Sequence, residues 1–240
     1  MSQVNEHAAN ATFEFDALRE AHAYRRGLMR EFGPFLGRRV LEIGAGIGQF
    51  TELLSKQPGV DAVLAIEPDP ILSAEFRKQH PRIPLVQGTL QTANPTPDWE
   101  SIVCVNVLEH IEADADELRA YHRLLQPNRG RLCLFVPARP EIYAPIDRDF
   151  GHFRRYRRGE LADKIAAAGF RLQRLHYFNL IGYAAWWWMF RIRKQRKFDL
   201  GSVRLFDRWI FPISSFLEQR IVRPPIGQSL VAIAEAVPGG

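Results

Sequence analysis

Gly44, Gly46 and Gly48 stand at i, i+2 and i+4, with a carboxylate, Glu42, two residues before the first of them. A second carboxylate, Glu67, follows roughly twenty residues on, the interval at which a ribose-binding acid follows a glycine loop. Glycines spaced this way let a backbone turn tightly and approach a ligand with no Cβ in between. The dinucleotide fingerprint places its third glycine at i+5, and here that place holds Gln49. A loop opening a helix and flanked by Glu42 therefore suits a ligand carrying positive charge better than a pyrophosphate. A carboxylate at Glu67 accepts two hydrogen bonds from a ribose diol and repels a phosphorylated ribose. Farther along, His110 and His152 are the groups best suited to take a proton near neutral pH, with Tyr156 a weaker one. Arg154 and Arg155, with Tyr143 nearby, could hold an anionic or polar group of a substrate.

These residues need elements to position them. Val40, Leu41 and Ile43 give strand character before the glycine loop, and a helix is expected from about Gly48 to Lys56. A second strand over Val60 to Ile66 ends at Glu67-Pro68-Asp69. A third, Ile83 to Val86, ends near Thr89 and Leu90. A fourth, Ser101 to Val105, runs into Asn106-Val107-Leu108-Glu109-His110-Ile111. A fifth spans Arg131 to Val136 and a sixth Phe170 to Phe178, with helices between. Strands alternating with helices over short links predict a doubly wound α/β sheet, and ligands bind at the carboxyl ends of such strands. The run Ser229 to Ala234 is a last apolar strand.

At this point the chain resembles the class I S-adenosylmethionine-dependent methyltransferases. Leu41-Glu42-Ile43-Gly44-Ala45-Gly46-Ile47-Gly48 looks like their first motif, and Asn106 to Ile111 looks like another at the end of the fourth strand. Their cofactor has a cationic sulfonium and no phosphate. The resemblance implies a Rossmann-like doubly wound sheet, mostly parallel, with the last strand antiparallel. It implies S-adenosylmethionine as cofactor and S-adenosylhomocysteine as product. It places Glu42, Gly44, Ala45, Gly46, Gly48, Glu67, Pro68, Thr89, Leu90, Asn106 and Val107 around that cofactor. An acid is common in the family where this chain has Thr89. Catechol-type members hold a divalent metal with acids and an asparagine; Asn106 has no acidic pair, so no metal is expected.

The chain of 240 residues fits a single domain, with an N-terminal helical lid at 13–36 and an insertion at 179–227. The insertion opens with Trp186-Trp187-Trp188 in an apolar run and continues into Arg191-Ile192-Arg193-Lys194-Gln195-Arg196-Lys197. Aromatic side chains followed by cations suit a membrane interface over 180–197; they suit equally a lid over a lipid-like or large aromatic substrate, or a packed subdomain. Net charge is +5, which raises nucleic acid as a partner. Against it, the fourth strand ends in Asn106-Val107-Leu108 and not in the Pro-Pro-aromatic motif of amino-directed DNA methyltransferases. Neither Cys104 nor Cys133 follows a proline, as a cytosine-directed nucleophile does. Both cysteines read as reduced core residues. No apolar signal core opens the chain, and no stretch reaches the roughly 18 apolar residues of a span, so the expected location is cytoplasmic, with the inner membrane face as a docking place.

The expected activity is methyl transfer, O-methylation favoured, to a small-molecule, saccharide or lipid-linked acceptor. Two alternatives stay open: a natural-product O- or N-methyltransferase with a soluble aromatic acceptor, and a non-catalytic binding module on the same fold.

Overall fold

The structure is a computed structural model that describes residues 21–193, 200–220 and 223–238. In chain order its main elements are α1 (His22–Phe32), β1 (Arg39–Ile43), α2 (Thr51–Ser55), β2 (Ala62–Glu67), α3 (Pro70–Gln79), β3 (Leu85–Gln87), α4 (Leu90–Ala93) and β4 (Ser101–Val105). Then come α5 (Asp114–Leu125), β5 (Arg131–Pro137), α6 (Pro145–Asp149), α7 (Arg158–Ala167) and β6 (Phe170–Phe178). The insertion contributes α8 (Leu180–Trp186), α9 (Leu200–Leu205) and α10 (Phe211–Arg220), and β7 (Ser229–Ala236) follows it.

The seven strands form one sheet in the order β3-β2-β1-β4-β5-β7-β6. The first five pair in parallel, and β7 runs antiparallel between β5 and β6. The expected sheet, including the reversed last strand, is the observed one. Strands buried on both faces explain the near-continuous apolar runs. Along β1 and β4 the side chains alternate: Leu41, Ile43, Ile102 and Cys104 join the core under α5 and α7, while Val40 and Val103 join the core on the opposite face with α1, Leu54 of α2 and Phe211 of α10. Helices on both faces of the sheet make three layers. Both cysteines are free and buried.

The order β1 then β4 puts the point where strand order reverses at the carboxyl ends of β1 and β4, the natural crevice of such a sheet. Asp69 caps α3 by accepting from Ile71 N and Leu72 N, and Pro70 sits at the first helical position, so β2 ends sharply at Glu67. The segment 140–149, aperiodic in sequence, folds as a 3-10 turn at Pro140–Ile142 and then α6. The chain then returns beside β5 at Tyr156, whose N donates to Pro137 O and whose O accepts from Arg139 N. Of the expected N-terminal lid at 13–36, residues 13–20 lie outside the described residues; so do 194–197 of the aromatic and basic stretch.

Candidate active site

The glycine loop folds as its spacing requires. Gly44, Gly46 and Gly48 have φ of 70, 58 and 88°, in the left-handed region that side chains avoid. A Cβ on Gly44 would stand 2.2 Å from Cγ2 of Val107, so the loop must lie bare against the end of β4. The Gly44 and Ala45 amides donate to Ile66 O, at 2.8 and 3.1 Å, tying the loop to β2. Above the loop is a cavity of about 80 Å³ lined by Glu42, Gly44, Ala45, Gly46, Phe50 and Asn106, with Tyr24, Arg25 and Leu28 of α1 closing one side. Helix α1 thus borders this cavity.

Glu42 is the electrostatic centre of the cradle. It is buried, and Oε2 finds no hydrogen-bond partner among the described residues. Burial pushes its carboxyl up to about 8; the Glu67 charge adds to the rise and the nearby Thr51 hydroxyl opposes it. Such a group favours a positively charged or hydrogen-donating ligand, which would restore the ionised form.

Glu67 is placed differently from the simple expectation. Its Oε2 accepts from Gly46 N at 2.7 Å and its Oε1 from Asp69 N at 2.9 Å, so it braces the glycine loop. Burial raises its carboxyl above the usual range, and these two amides pull it back. Each oxygen retains a second lone pair for a diol. Gly48 faces away from the cavity wall: a Cβ there would meet His80 and Phe76. Pro68 and Thr89 are exposed at neighbouring strand ends, and Leu90 is buried in the core. The Thr89 hydroxyl accepts from Thr92 N and caps α4.

A second, larger cavity of about 390 Å³ shares Tyr24 and Asn106 with the first. Asn106 holds φ at 52°, an unusual conformation for a side-chain-bearing residue, at the very end of β4. The larger cavity is walled mostly by apolar groups: Pro137, Phe150, Trp186, Met189 and Phe190 among them. Its polar residues include Glu109, His152 and Arg155 beside Asn106.

His152 is buried and held by a network that the sequence does not announce. Its Nδ1 lies 3.2 Å from Oδ1 of Asp147. The same oxygen accepts from Arg155 Nε at 2.8 Å, and Asp147 Oδ2 accepts from Ala144 N. Burial alone would raise the Asp147 carboxyl; the bonds from His152 and Arg155 hold it below the usual range. A proton on His152 Nδ1 donates to that carboxylate, which leaves Nε2 with its lone pair, and Nε2 is buried with no hydrogen-bond partner among the described residues. The Arg155 guanidinium is also stacked on Trp186 at 4.4 Å. Tyr143 supports the arrangement by donating to His152 O at 2.7 Å.

The other candidate residues are engaged elsewhere. Tyr156 donates to Asp114 Oδ2 at 3.0 Å, and burial, reinforced by that carboxylate, drives its hydroxyl far above the ordinary range. Arg154 pairs with Asp114 and donates to Ile111 O and Glu112 O. Neither lines either cavity. His110 packs edge-on against His152, ring centroids 4.6 Å apart, and burial lowers its imidazole to about 4, with His152 adding to the fall. It is neutral at pH 7. Glu109, His110 and His152 each bring a ligand-capable atom within 4.8 Å of the others, an arrangement that the expectation of no metal did not foresee.

Sequence reasoning missed Asp147, which lies in an aperiodic segment with no local signal, and Asp207 in the insertion. The Asp207 carboxylate accepts from Ala23 N and Tyr24 N, both at 2.8 Å, and so caps the start of α1 from across the fold.

The model of a methyltransferase domain family matches residues 15–197, and the chain belongs to that family. Its fold is the class I one, and S-adenosylmethionine is the cofactor that goes with it. The chain is similar to the mitochondrial ubiquinone biosynthesis O-methyltransferase of Schizosaccharomyces pombe, 28% identical over 120 residues, covering 47% of this chain and 42% of that one. It is similar also to trans-aconitate 2-methyltransferase of Methylobacterium nodulans, 29% identical over 150 residues, covering 62% of this chain and 55% of that one. The chain thus spans about half the length of these curated relatives. Among solved structures, the TehB-like SAM-dependent methyltransferase of Corynebacterium glutamicum superposes with a TM-score of 0.52 at 22% identity, covering 87% of this chain and 86% of that one.

The residues present fit the cofactor. Gly44 and Gly46 line the cradle with backbone alone, and its buried acid has an oxygen in want of a donor. Its apolar walls suit a ligand without phosphate.

Proposed function

We propose that this protein methylates a hydroxyl of a small, largely apolar acceptor, with the smaller cavity as cofactor cradle and the larger one as acceptor site. The observation that carries this reading is the shared wall: Asn106 and Tyr24 belong to both cavities, so a ligand in one abuts a ligand in the other. When bound, S-adenosylmethionine supplies a methyl group already activated on a sulfonium.

The chain then has three tasks: to align the acceptor oxygen with that methyl, to exclude water, and to accept a proton. Glu42 and the Gly44-Ala45-Gly46 backbone hold the cationic part of the cofactor, with Glu67 at the ribose hydroxyls. Tyr24 and its neighbours on α1 close the cradle, in keeping with a lid at the N-terminus. Phe150, Trp186 and Phe190 keep the acceptor site dry. His152 Nε2 would take the proton of an acceptor hydroxyl held against the methyl group that the cofactor supplies. Asp147 keeps His152 in the tautomer that makes Nε2 the base, and Arg155 keeps Asp147 ionised. Asp147 is thus a positioning residue.

The apolar walls support a lipid-linked acceptor over a free saccharide. The test is methyl transfer from methyl-labelled S-adenosylmethionine to fractionated metabolite extracts. Labelled product that requires His152 supports the reading. Cofactor binding with no labelled product from any fraction would favour a binding module.

A further inference from the structure

Among the described residues, the insertion turns its acids onto backbone amides and sets several aromatic and basic groups outside. Trp186 and Phe190 turn inward onto Ile142, Ala144 and Ile146, and Phe211 reaches the sheet core. Asp207 is spent on the start of α1. Glu218 accepts from the Asn179 and Leu180 amides, at 3.0 and 2.9 Å. The side chains left facing water include Trp187, Trp188, Trp209, Ile213 and Phe216, between 44 and 66% exposed. Arg191, Arg193 and Arg208 stand exposed among them, and Arg208 lies over the Trp209 ring. Elsewhere among the described residues, large exposed apolar side chains are scattered singly, as Ile71, Phe153 and Val237. So many large apolar side chains exposed on one insertion mark it as an interaction surface.

The acceptor cavity reaches this same surface. Leu205 and Ile210 line the cavity and are themselves 59 and 39% exposed, so the cavity borders the exposed apolar part of the insertion. Ala185 and Met189, which flank the tryptophans, line the other side.

We propose that this face seats on an anionic lipid bilayer, and that the acceptor is a membrane amphiphile whose apolar chain passes from the bilayer into the cavity between α8 and α9. Its second clause rests on the methyltransferase reading above. Tryptophan rings and arginine side chains with no exposed acid among the described residues between them match the interface of an anionic leaflet in both polarity and charge. None of the helices among the described residues is long and apolar enough to cross a membrane, so the contact is interfacial. An apolar acceptor would then reach His152 without crossing water, its hydroxyl end leading to Asn106 and its chain trailing toward the bilayer.

Flotation with vesicles of phosphatidylglycerol and phosphatidylcholine, against phosphatidylcholine alone, tests the docking. The full chain is expected to float with the anionic vesicles, and to release at high salt. Trp187→Ser/Trp188→Ser/Trp209→Ser, and separately Arg191→Glu/Arg193→Glu/Arg208→Glu, should each lower vesicle binding at least tenfold. Calorimetric affinity for S-adenosylmethionine should stay unchanged in both variants, which reports that the cradle is intact. No flotation of the wild-type chain, undiminished flotation of the tryptophan variant, or concentration-dependent dimerisation that the tryptophan variant abolishes would each overturn the proposal while leaving the methyltransferase reading standing. Failure of the wild-type chain to bind the cofactor would instead sink that reading. For the acceptor, label from methyl-labelled S-adenosylmethionine should partition into the organic phase when a membrane lipid extract is supplied. Label appearing only in water-soluble material would overturn the membrane origin of the acceptor.

Discussion

Glu42 offers a sharp test, because its protonation and cofactor binding must be linked. Its carboxyl sits at about 8 in the unliganded cradle, raised from 4.5 chiefly by burial. At pH 7 it is therefore about nine-tenths protonated. A cationic ligand favours the ionised carboxylate, so binding at pH 7 expels about 0.9 proton per site from this residue. The cost of deprotonation at that pH is about 1.4 kcal/mol, a factor of about ten in affinity. The dissociation constant should fall about tenfold between pH 7 and pH 9 and then level off. Stability of the free protein moves the other way. The folded state keeps a proton that the unfolded chain releases above 4.5, so this contribution is complete below 4.5 and is lost as pH rises toward 8, and bound cofactor flattens the loss. Calorimetric titration in buffers of different ionisation enthalpy counts the protons, and Glu42→Gln removes this release while weakening binding. Equal proton release by wild-type and Glu42→Gln proteins, or an affinity independent of pH, would refute the reasoning.

Four further outcomes follow from the geometry. His152→Gln should lower kcat by about 10²–10⁴ with cofactor affinity unchanged, and Asp147→Asn should lower it less and shift its pH profile; an unchanged kcat in His152→Gln would remove it as the base. Activity should survive dialysis against a chelator; loss that a divalent cation restores would show that the Glu109, His110 and His152 cluster works as a metal site, and would replace the base reading. Gly44→Ala places a side chain at positive φ and against Val107, so chemical denaturation should show a loss of more than about 1–2 kcal/mol, the backbone part alone; a loss under about 0.5 kcal/mol would contradict the tight loop. Asp207→Ala removes the cap on α1 and should destabilise the protein by about 0.5–2 kcal/mol in the same assay, with an unchanged midpoint counting against the cap.

Much of this molecule can be read from its residues because the sheet imposes rigid geometry. Val40, Leu41 and Ile43 need burial on two faces, three glycines need positive φ, and the βαβ connection then fixes where Glu67 arrives. The same logic carries Asn106 to the end of β4. It fails where position depends on contacts made across the fold. Glu67 spends its first bonds on Gly46 and Asp69, a local bracing that spacing does not express. Tyr156 and Arg154 sit beside Arg155 in sequence, yet the bridge at Pro137 and Arg139 turns them onto Asp114 while Arg155 enters the cavity wall. Asp147 reaches His152 only because a 3-10 turn and α6 fold up a segment without periodicity. In the insertion, the run of tryptophans and arginines is legible, but the inward turn of Asp207 and Glu218, which leaves no exposed acid among its described residues, is not.

The central claim is that the two adjoining cavities hold cofactor and acceptor about a common wall at Asn106. A crystal structure with S-adenosylhomocysteine tests it most directly. The account predicts the amino acid part of the ligand against Glu42 and the glycine loop, its ribose at Glu67, and its sulfur turned toward Asn106 and the cavity that contains His152. A ligand bound elsewhere, or seated in the cradle with its sulfur facing away from that cavity, would contradict it.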